Sequence, residues 1–537
     1  MSLQFIFGNS GSGKSHYLYQ QIVEESIRHP EKNYLVLVPE QFTMQTQKDL
    51  CMAHPRGGIM NIDVLSFGRL AHRVFEETGK ERQPILDDEG KNLVLRKIAG
   101  NYEDELTVLK GDLKKQGYIS EVKSVISEFT QYGIDFEQLD SFMEGLNPES
   151  YLYYKLKDIR KVYEGFEDYL RDKYITKEEL LDVLSQTVPE AKMLKDSVIA
   201  MDGFTGFTPV QNRLIGELLK VCDKIMLTVE IDRREDPFVY KHPYQLFALS
   251  KQMVTSLTEV AQEVRVEIDE PVWLCKNPSY RFKENPEMAF LEEELFRYSR
   301  RKYSGEKMRS ISLHEVHTPQ EEAQYVAEEI RRLVREEGYR YREIAVIASD
   351  LSTYADALEK ACDRYEIPVF MDHKKSILLN SFVEYLRSLL VMVEQNYTYE
   401  SVFRYLRTSL CGFTRDEVDR LENYCLALDL KGFKKWDQVW VRKTPMTTKE
   451  ELEELNHLRM RFVEKLTPLH TVLKKRKKTV KEITLAVYEY LVQEKIQEQL
   501  AELEQKFQED GELALAKEYA QIYRIVLELF DKFVELL

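Results

Sequence analysis

The sequence predicts an α/β protein in which two parallel-sheet domains carry large helical insertions. An apolar run at residues 5–7 is followed by a glycine-rich turn and then by a helix-forming segment. Short apolar runs alternate with helical patterns in two separate regions, an arrangement typical of parallel sheets. Within the first region, from about Lys80 to Asp196, and again after Ser381, apolar residues recur three and four positions apart, as they do on helices.

The composition bounds the class of protein. At 537 residues the chain is too long for one core, so we expect three or four packing units. Hydrophobic residues at 43% and charged residues at 31% indicate a globular protein with ample core. No apolar run approaches the roughly 20 residues that cross a bilayer, and the N-terminal pattern excludes a signal peptide. We therefore expect a cytoplasmic protein with no membrane partner.

The charges and cysteines give weaker signals. A net charge of −16 argues against indiscriminate nucleic-acid binding, but it leaves room for a basic channel on an acidic body. The densest basic run, residues 474–478, is either a solvated turn or a phosphate-contacting patch, and the turn is favoured. The six cysteines are scattered with no C-x-x-C pair, so we expect no metal or disulfide framework.

The most specific motif lies in the N-terminal turn. Residues 8–15 match G-x-x-x-x-G-K-[ST] between a predicted strand and a predicted helix. The glycines let successive N–H groups turn toward a phosphate, and the helix adds its positive end. Lys14 would reach the β and γ phosphates of ATP, and Ser15 would bind Mg²⁺. The predicted nucleotide-binding residues are Gly8, Asn9, Ser10, Gly11, Ser12, Gly13, Lys14 and Ser15.

The first α/β region continues beyond this loop. Its further strands are predicted at residues 34–38, 59–65, 197–202 and 224–231. Between the second and third of these, helical spacing predicts an all-helical insertion. The third strand ends in Asp202, a carboxylate that could hold Mg²⁺ through water across from Ser15. Because an aspartate often ends a strand by chance, this signal alone is ambiguous.

A second α/β region begins near Ser310 and has no phosphate loop of its own. Its strands are predicted at residues 311–316, 344–348 and 367–371, and its helices at 319–336 and 353–365. Past Ser381 the chain is predicted to be helical to its last residue, where neither glycine nor proline ends the pattern. We therefore expect a fragment of a longer protein, or a partner at this end.

Together these features resemble the superfamily 1 DNA helicases. Residues 8–15 fall on motif I, residues 36–41 are similar to motif Ia, and Asp202 and Gln211 have the spacing of motif II. Residues 65–70 resemble the segment that contacts single-stranded DNA in these enzymes.

The helicase resemblance implies domains and contacts. The implied domains are 1–80 with 197–280 as a first RecA-like domain (1A-like), 81–196 as a helical insertion (1B-like), 281–395 as an incomplete second RecA-like domain (2A-like), and 396–537 as a truncated helical domain (2B-like). The implied DNA contacts are Ser66, Phe67 and Arg69, although Phe67 could equally be a core residue. The implied nucleotide contacts are Gln211 and Arg281, because Tyr280-Arg281 is similar to motif IV.

A more specific resemblance is to the AddB family, the B subunits of bacterial AddAB helicase–nucleases that resect double-strand breaks. It is carried by residues 201–211, by residues 421–424 with Gly432 and Trp436, and by the N-terminal loop. The resemblance implies an AddA-type helicase/nuclease partner in a heterodimer, single- and double-stranded DNA, ATP and Mg²⁺.

Departures from the family pattern limit what the resemblance implies. Gly203 stands where these helicases place a glutamate that orients water, and no motif III is found between Ile231 and Tyr280, so hydrolysis should be weak or absent. The chain has no Asp-Tyr-Lys motif and no clustered cysteines. We therefore expect no nuclease activity here, and an iron–sulfur cluster only in the missing C-terminal half of the parent protein.

Three alternatives remain open. An autonomous superfamily 1 helicase would need another residue in place of the glutamate missing at Gly203. A P-loop small-molecule kinase would explain residues 8–15, but neither the spacing of Asp202 and Gln211 nor the second α/β region. A scaffold with a relict loop would not bind ATP at all.

Overall fold

The computed structural model describes residues 1–79, 84–171, 173–305, 308–371, 376–444 and 447–537. These residues form two compact units, Met1–Leu313 and His314–Leu537. Within the described ranges, no helix is long and apolar enough to span a membrane.

A parallel sheet of seven strands forms the centre of the first unit. The strands of this unit are β1 (Ser2–Gly8), β2 (Tyr34–Leu37), β3 (Ile62–Leu65), β4 (Ile85–Leu86), β5 (Ile175–Thr176), β6 (Val198–Met201), β7 (Lys224–Glu230), β8 (Glu267–Ile268) and β9 (Val272–Trp273). The sheet order is β3-β2-β6-β7-β1-β8, with β9 also paired to β1, while β4 and β5 pair separately. Because all the pairs are parallel, the carboxyl ends of these strands meet at one edge of the sheet.

The central strand β1 shows why the sheet forms. Phe5 and Phe7 are fully buried in the core on one face, and Ile6 is fully buried in a second core on the other face. A strand that is apolar on both faces is typical of a parallel sheet covered by helices on both sides.

Helices cover this sheet and build the insertion. They are α1 (Lys14–Arg28), α2 (Thr43–Ala53), α3 (Phe67–Thr78), α4 (Asp88–Asn101), α5 (Gln116–Tyr132), α6 (Phe136–Glu144), α7 (Tyr151–Leu170), α8 (Leu180–Thr187), α9 (Pro209–Leu219), α10 (Ala248–Glu263) and α11 (Pro286–Glu294). Within the insertion, the buried carboxylate of Asp158 on α7 accepts hydrogen bonds from the backbone N–H groups of Thr107, Val108 and Leu109. This carboxylate fixes the loop that follows α4.

The second unit is helical over its described residues. Its helices are α12 (Pro319–Glu336), α13 (Leu351–Arg364), α14 (Ser381–Glu394), α15 (Tyr399–Leu406), α16 (Arg415–Leu428), α17 (Phe433–Asp437), α18 (Lys449–Leu473), α19 (Val480–Gln493), α20 (Ile496–Glu509) and α21 (Leu513–Leu536). Helices α14 to α21 share one core, in which Trp436 packs against Phe462 with ring centroids 4.5 Å apart. The smaller pair α12 and α13 has a separate core.

Most first-region predictions are confirmed. The strands predicted at 34–38, 59–65, 197–202 and 224–231 appear as β2, β3, β6 and β7, each shortened at one or both ends. The insertion was predicted to be all helical, and this is wrong in one detail, because Ile85 pairs with Ile175 in the short β4–β5 ladder. Two residues per strand are too few to leave a period-two signal in the sequence.

The three strands predicted in the second region are not formed. Residues 311–316, 344–348 and 367–371 are described, and none of them is in a strand. A β-branched run becomes a strand only when a neighbour pairs with its backbone. Here the second and third runs lie beside α12 and α13 and line an apolar cavity of about 540 Å³. The helix predicted at 319–336 is confirmed, because Thr318 caps it and Pro319 occupies its first turn.

The insertion should make stability depend on pH through Glu167 on α7. Burial, reinforced by the charge of Glu179, raises the pKa of Glu167 to about 7 from an ordinary 4.5. The folded state therefore holds a proton that the unfolded state releases, so stability is lost as pH rises from about 4.5 through 7. Allowing for solvent screening, we expect Glu167→Gln to stabilise the protein by about 2 kcal/mol at pH 8.

Urea denaturation at pH 4.5 and pH 8 measures this effect. Glu137→Gln, on the exposed face of α6, is the matched control and should give no pH-dependent difference. An equal gain for Glu167→Gln at both pH values would contradict the assignment.

Candidate nucleotide-binding site

The glycine-rich loop joins β1 to α1 at the carboxyl edge of the sheet. Gly11 and Gly13 have φ angles of +72° and +93°, in the left-handed region that suits glycine. The N–H of Ser12 donates to the carbonyl of Asn9 at 3.2 Å, which closes the turn. Helix α1 begins at Lys14, so its unpaired N-terminal N–H groups open toward the loop. This is the geometry of an anion-binding helix N-terminus.

Lys14 folds back over this loop. Its Nζ donates to the Asn9 carbonyl at 3.0 Å. Burial lowers the pKa of Lys14, and the negative charges of Glu230 and Asp202 oppose that effect. The ammonium is therefore a partly desolvated cation beside the loop, which suits it to bind an anion strongly.

Two buried hydroxyl groups at the loop indicate whether the site could accept phosphates. Ser12 Oγ and Ser279 Oγ are buried, and neither has a hydrogen-bond partner within the described ranges. A Cβ atom added to Gly11 would lie 3.1 Å from Ser279 Oγ and 2.6 Å from the Cβ of Arg281. Buried hydroxyls normally find partners, so unpaired donors beside a phosphate-loop motif fit an anionic ligand.

The side chain of Asn9 ties the loop to distant parts of the unit. Its Nδ2 donates to the Lys276 carbonyl and to the Glu292 carboxylate on α11, both at 3.2 Å. Its Oδ1 accepts from the backbone N–H of Lys276 at 3.3 Å. Asn9 therefore positions the loop through its side chain.

Asp202 lies at the carboxyl end of β6 and is held by two hydroxyls. Thr228 Oγ1 donates to its Oδ1 at 2.5 Å, and the Tyr19 hydroxyl donates to its Oδ2 at 2.7 Å. Burial and the charge of Asp202 hold the pKa of Tyr19 well above its usual value, so Tyr19 remains a donor. In the described residues, no group of three His, Cys, Asp or Glu side chains could hold a metal by itself. The assignment of Mg²⁺ to Ser15 and Asp202 stays a prediction.

Gly203 adopts a backbone conformation that most residues avoid. It is exposed and has a φ of +76°. A Cβ atom there would lie 3.6 Å from Phe42 and from Pro39, so space is available and the strain comes from the backbone. A glutamate at this position would therefore be strained.

The two predicted nucleotide contacts lie in different surroundings. The backbone N–H of Arg281 donates to the Gly11 carbonyl at 3.1 Å, which places Arg281 against the loop. The Gln211 amide oxygen accepts from the backbone N–H of Thr208 at 2.9 Å and completes the capping box of α9.

The predicted DNA-contact residues open helix α3. Ser66 caps this helix by accepting from the backbone N–H of Arg69 at 3.4 Å. Phe67 is buried and packs against Phe204 and Phe207, with ring centroids 5.5 Å and 6.2 Å away. Of the three predicted residues, Arg69 is the one whose side chain is exposed.

Sequence reasoning missed four residues near the loop: Tyr19, Thr228, Glu230 and Glu292. Two of them lie on β7, which was predicted, and the rule that parallel strands end at one edge could have indicated them. Tyr19 and Glu292 come from helices α1 and α11, and no sequence pattern pointed to them. The side chain of Phe42, which lies beside Gly203 and is 45% exposed, was also not predicted to belong to the site.

The hydroxyl of Thr228 should stabilise the fold through Asp202. Thr228→Val replaces the donor with a methyl group and leaves Oδ1 of a buried carboxylate unpaired, which should cost about 2 kcal/mol of unfolding free energy. In an Asp202→Ala background the same substitution should cost much less. Urea denaturation of the four proteins in this cycle measures the difference, and Thr255→Val on α10 controls for the change of residue type. Equal costs in both backgrounds would contradict the interaction.

Comparison with known proteins identifies the family. Residues 5–292 match the family description "ADDB, N-terminal", and residues 281–536 match "UvrD-like helicase C-terminal domain". The second match agrees with the helicase-like α/β class predicted from the sequence.

Curated relatives that are named as the B subunit of an ATP-dependent helicase/deoxyribonuclease are similar over this whole chain. The Lachnoclostridium phytofermentans protein is 40% identical over 543 residues, covering 100% of this chain and 47% of that protein. The Clostridium novyi protein is 32% identical over 535 residues, covering 100% of this chain and 46% of that protein. The chain thus spans about half the length of the curated relatives it matches. The chain belongs to the AddB family.

Proposed function

We propose that this chain is the helicase-like, ATP- and DNA-binding part of an AddB-type protein. That protein works with an AddA-type helicase/nuclease in a heterodimer that resects DNA double-strand breaks for recombinational repair in the cytoplasm. The observation that carries the proposal is the phosphate loop, where Lys14 is partly desolvated and the Ser12 and Ser279 hydroxyls are buried without partners in the described structure. The names of the relatives support the role as one subunit of a complex.

Each part of the loop has a role in holding ATP with Mg²⁺. The backbone N–H groups of residues 8–15 and the ammonium of Lys14 bind the phosphates, and Ser15 and Asp202 hold the metal. When bound, Mg²⁺ neutralises phosphate charge. Arg281 is proposed as a further nucleotide contact because its backbone already joins the loop, and Gln211 as a weaker one because its amide oxygen is used in the cap of α9.

The weak hydrolysis that we propose follows from Gly203. A glycine offers no carboxylate to orient water, and its φ of +76° disfavours a larger residue.

The four domains keep the boundaries implied by the helicase resemblance as part of this proposal. Nuclease chemistry and the iron–sulfur cluster are assigned to the other half of the parent protein.

DNA is proposed to bind along the carboxyl edge of the sheet. In this proposal Arg69 on α3 contacts the phosphate backbone of the DNA. Ser66 caps α3, and Phe67 packs this helix against the core, so both hold Arg69 in position. Single-stranded DNA is the proposed ligand of this surface, and double-stranded DNA that of the whole complex.

Lys14→Ala should weaken ATP binding. The loss of a charged hydrogen-bond donor should weaken ATP affinity by about 10- to 100-fold. Equilibrium titration with a fluorescent ATP analogue and Mg²⁺ measures this, and hydrolysis is followed in the same samples with and without single-stranded DNA. Steady-state turnover of the wild-type protein should stay far below helicase rates in both.

The matched control is Lys32→Ala, which removes a surface ion pair with Asp223 and should leave ATP binding unchanged. DNA-stimulated turnover at helicase rates would favour the autonomous helicase. Turnover that needs a small-molecule phosphate acceptor and ignores DNA would favour the kinase. Wild-type protein that binds no ATP would refute the proposed function.

Arg69→Ala should weaken binding of single-stranded DNA. The slope of log affinity against log salt concentration should fall by about 0.7 if one phosphate contact is lost. Fluorescence anisotropy with an oligonucleotide at several salt concentrations measures the slope. Arg73→Ala is the control on the same helix, because Arg73 is engaged with Asp63 at 2.9 Å. Identical slopes for the two variants would show that α3 contributes only general charge.

A further inference from the structure

Four acidic side chains surround the phosphate loop, and three of them are held by partners. Asp202 accepts hydrogen bonds from two hydroxyls. Asp232 accepts from Arg234 at 2.6 Å and from Arg297 at 2.7 Å. Burial would raise the pKa of Asp232, but these arginines outweigh it, so the group stays ionised and paired. Glu292 accepts from Asn9.

Glu230 is the fourth, and its position differs from the others. It is the last residue of β7, is exposed, and lies directly across from Gly8 in the register of β1 and β7. The next residue, Ile231, donates its N–H to the Gly8 carbonyl at 3.0 Å, which fixes the backbone beside the loop. No hydrogen bond or ion pair to Glu230 is found in the described part of the chain.

The electrostatics of Lys14 place the Glu230 carboxylate near the reactive end of the loop. Among the neighbouring charges that act on Lys14, Glu230 has the largest effect, ahead of Asp202. Since Lys14 in this motif reaches the β and γ phosphates, a carboxylate close to its ammonium lies near the same phosphates.

We propose that Glu230 is the general base for ATP hydrolysis at this site, in place of the glutamate that Gly203 cannot supply. This inference rests on the proposed function, because it requires ATP on the loop. The oxygen of a water molecule attacks the γ-phosphorus, and a new P–O bond forms. The bond from the γ-phosphorus to the bridging oxygen breaks, and ADP leaves with the electron pair. One proton of the water passes to the Glu230 carboxylate and then to solvent, and the other stays on the oxygen now bound to phosphorus.

The carboxylates of Asp202 and Asp232, at the same edge of the sheet, are less suited to act as the general base. Both oxygens of Asp202 already accept hydrogen bonds, so taking a further proton would disrupt these contacts. Asp232 is neutralised by two arginines, and this makes it a poor base. Of the four carboxylates named here, Glu230 is the one that is exposed and for which the described structure shows no hydrogen bond or ion pair.

Phosphate release under single-turnover conditions, with the whole chain in excess over ATP and Mg²⁺, tests this inference. Glu230→Gln should slow release by about 100-fold, while the Kd for ATP changes by less than about threefold. Glu230→Asp should retain more activity than Glu230→Gln because it keeps a carboxylate. The matched control is Glu267→Gln, which changes an exposed carboxylate across from Ser2, at the opposite end of β1, and should behave as wild type.

Three results would overturn the inference while leaving the proposed function intact. They are a Glu230→Gln rate equal to wild type, a wild-type rate no higher than that of Lys14→Ala, and a Glu230→Gln variant that loses ATP binding although its thermal unfolding is unchanged. Wild-type protein that binds no ATP would instead refute the proposed function, and with it this inference.

Discussion

The candidate site depends on the parallel register of β7, which lies between β6 and β1. One neighbour places Glu230 across from Gly8, and the other places Leu227 across from Met201. Thr228 therefore follows alongside Asp202, and their oxygens meet at 2.5 Å. Because side chains alternate across a sheet, a slip of one residue would turn Thr228 to the other face. The hydrophobic cores on both faces hold this register, so the stability of the sheet and the geometry of the site have the same origin.

Charge at the loop constrains what can bind there. Lys14 is one partly buried ammonium, and the charges of Glu230 and Asp202 both act on it. A polyphosphate placed among these groups would meet two carboxylates, and at short range their repulsion is large in a low dielectric. A divalent cation at Ser15 and Asp202 would offset that repulsion. Metal and nucleotide are therefore expected to bind together. The cation reduces the repulsion between the phosphates and these carboxylates, and the phosphates add negative charge that attracts the cation.

The sequence predicted those parts of the fold and site that are encoded locally. The loop motif, the strands of the first region and the helix after Thr318 each depend on neighbouring residues. The contacts that orient the loop join residues far apart in the chain: Asn9 and Glu292 are separated by 283 positions and Tyr19 and Asp202 by 183. No local pattern encodes such pairs. The strands predicted at 344–348 and 367–371, which do not form, show the same limit. Strand propensity describes a single segment, whereas a strand forms only when a second segment pairs with it.

In the proposed mechanism, Gly203 and Glu230 separate nucleotide binding from hydrolysis. In a helicase that carries aspartate and glutamate in succession, one turn of chain orients both the metal and the water. Here Asp202 is fixed by hydroxyls from α1 and β7, whereas the Glu230 carboxylate, for which the described residues show no partner, lies at the end of β7. A base on an exposed strand end has more conformational freedom than one fixed beside the metal ligand, and imprecise positioning lowers rate steeply. The proposed site would therefore keep ATP bound with little turnover.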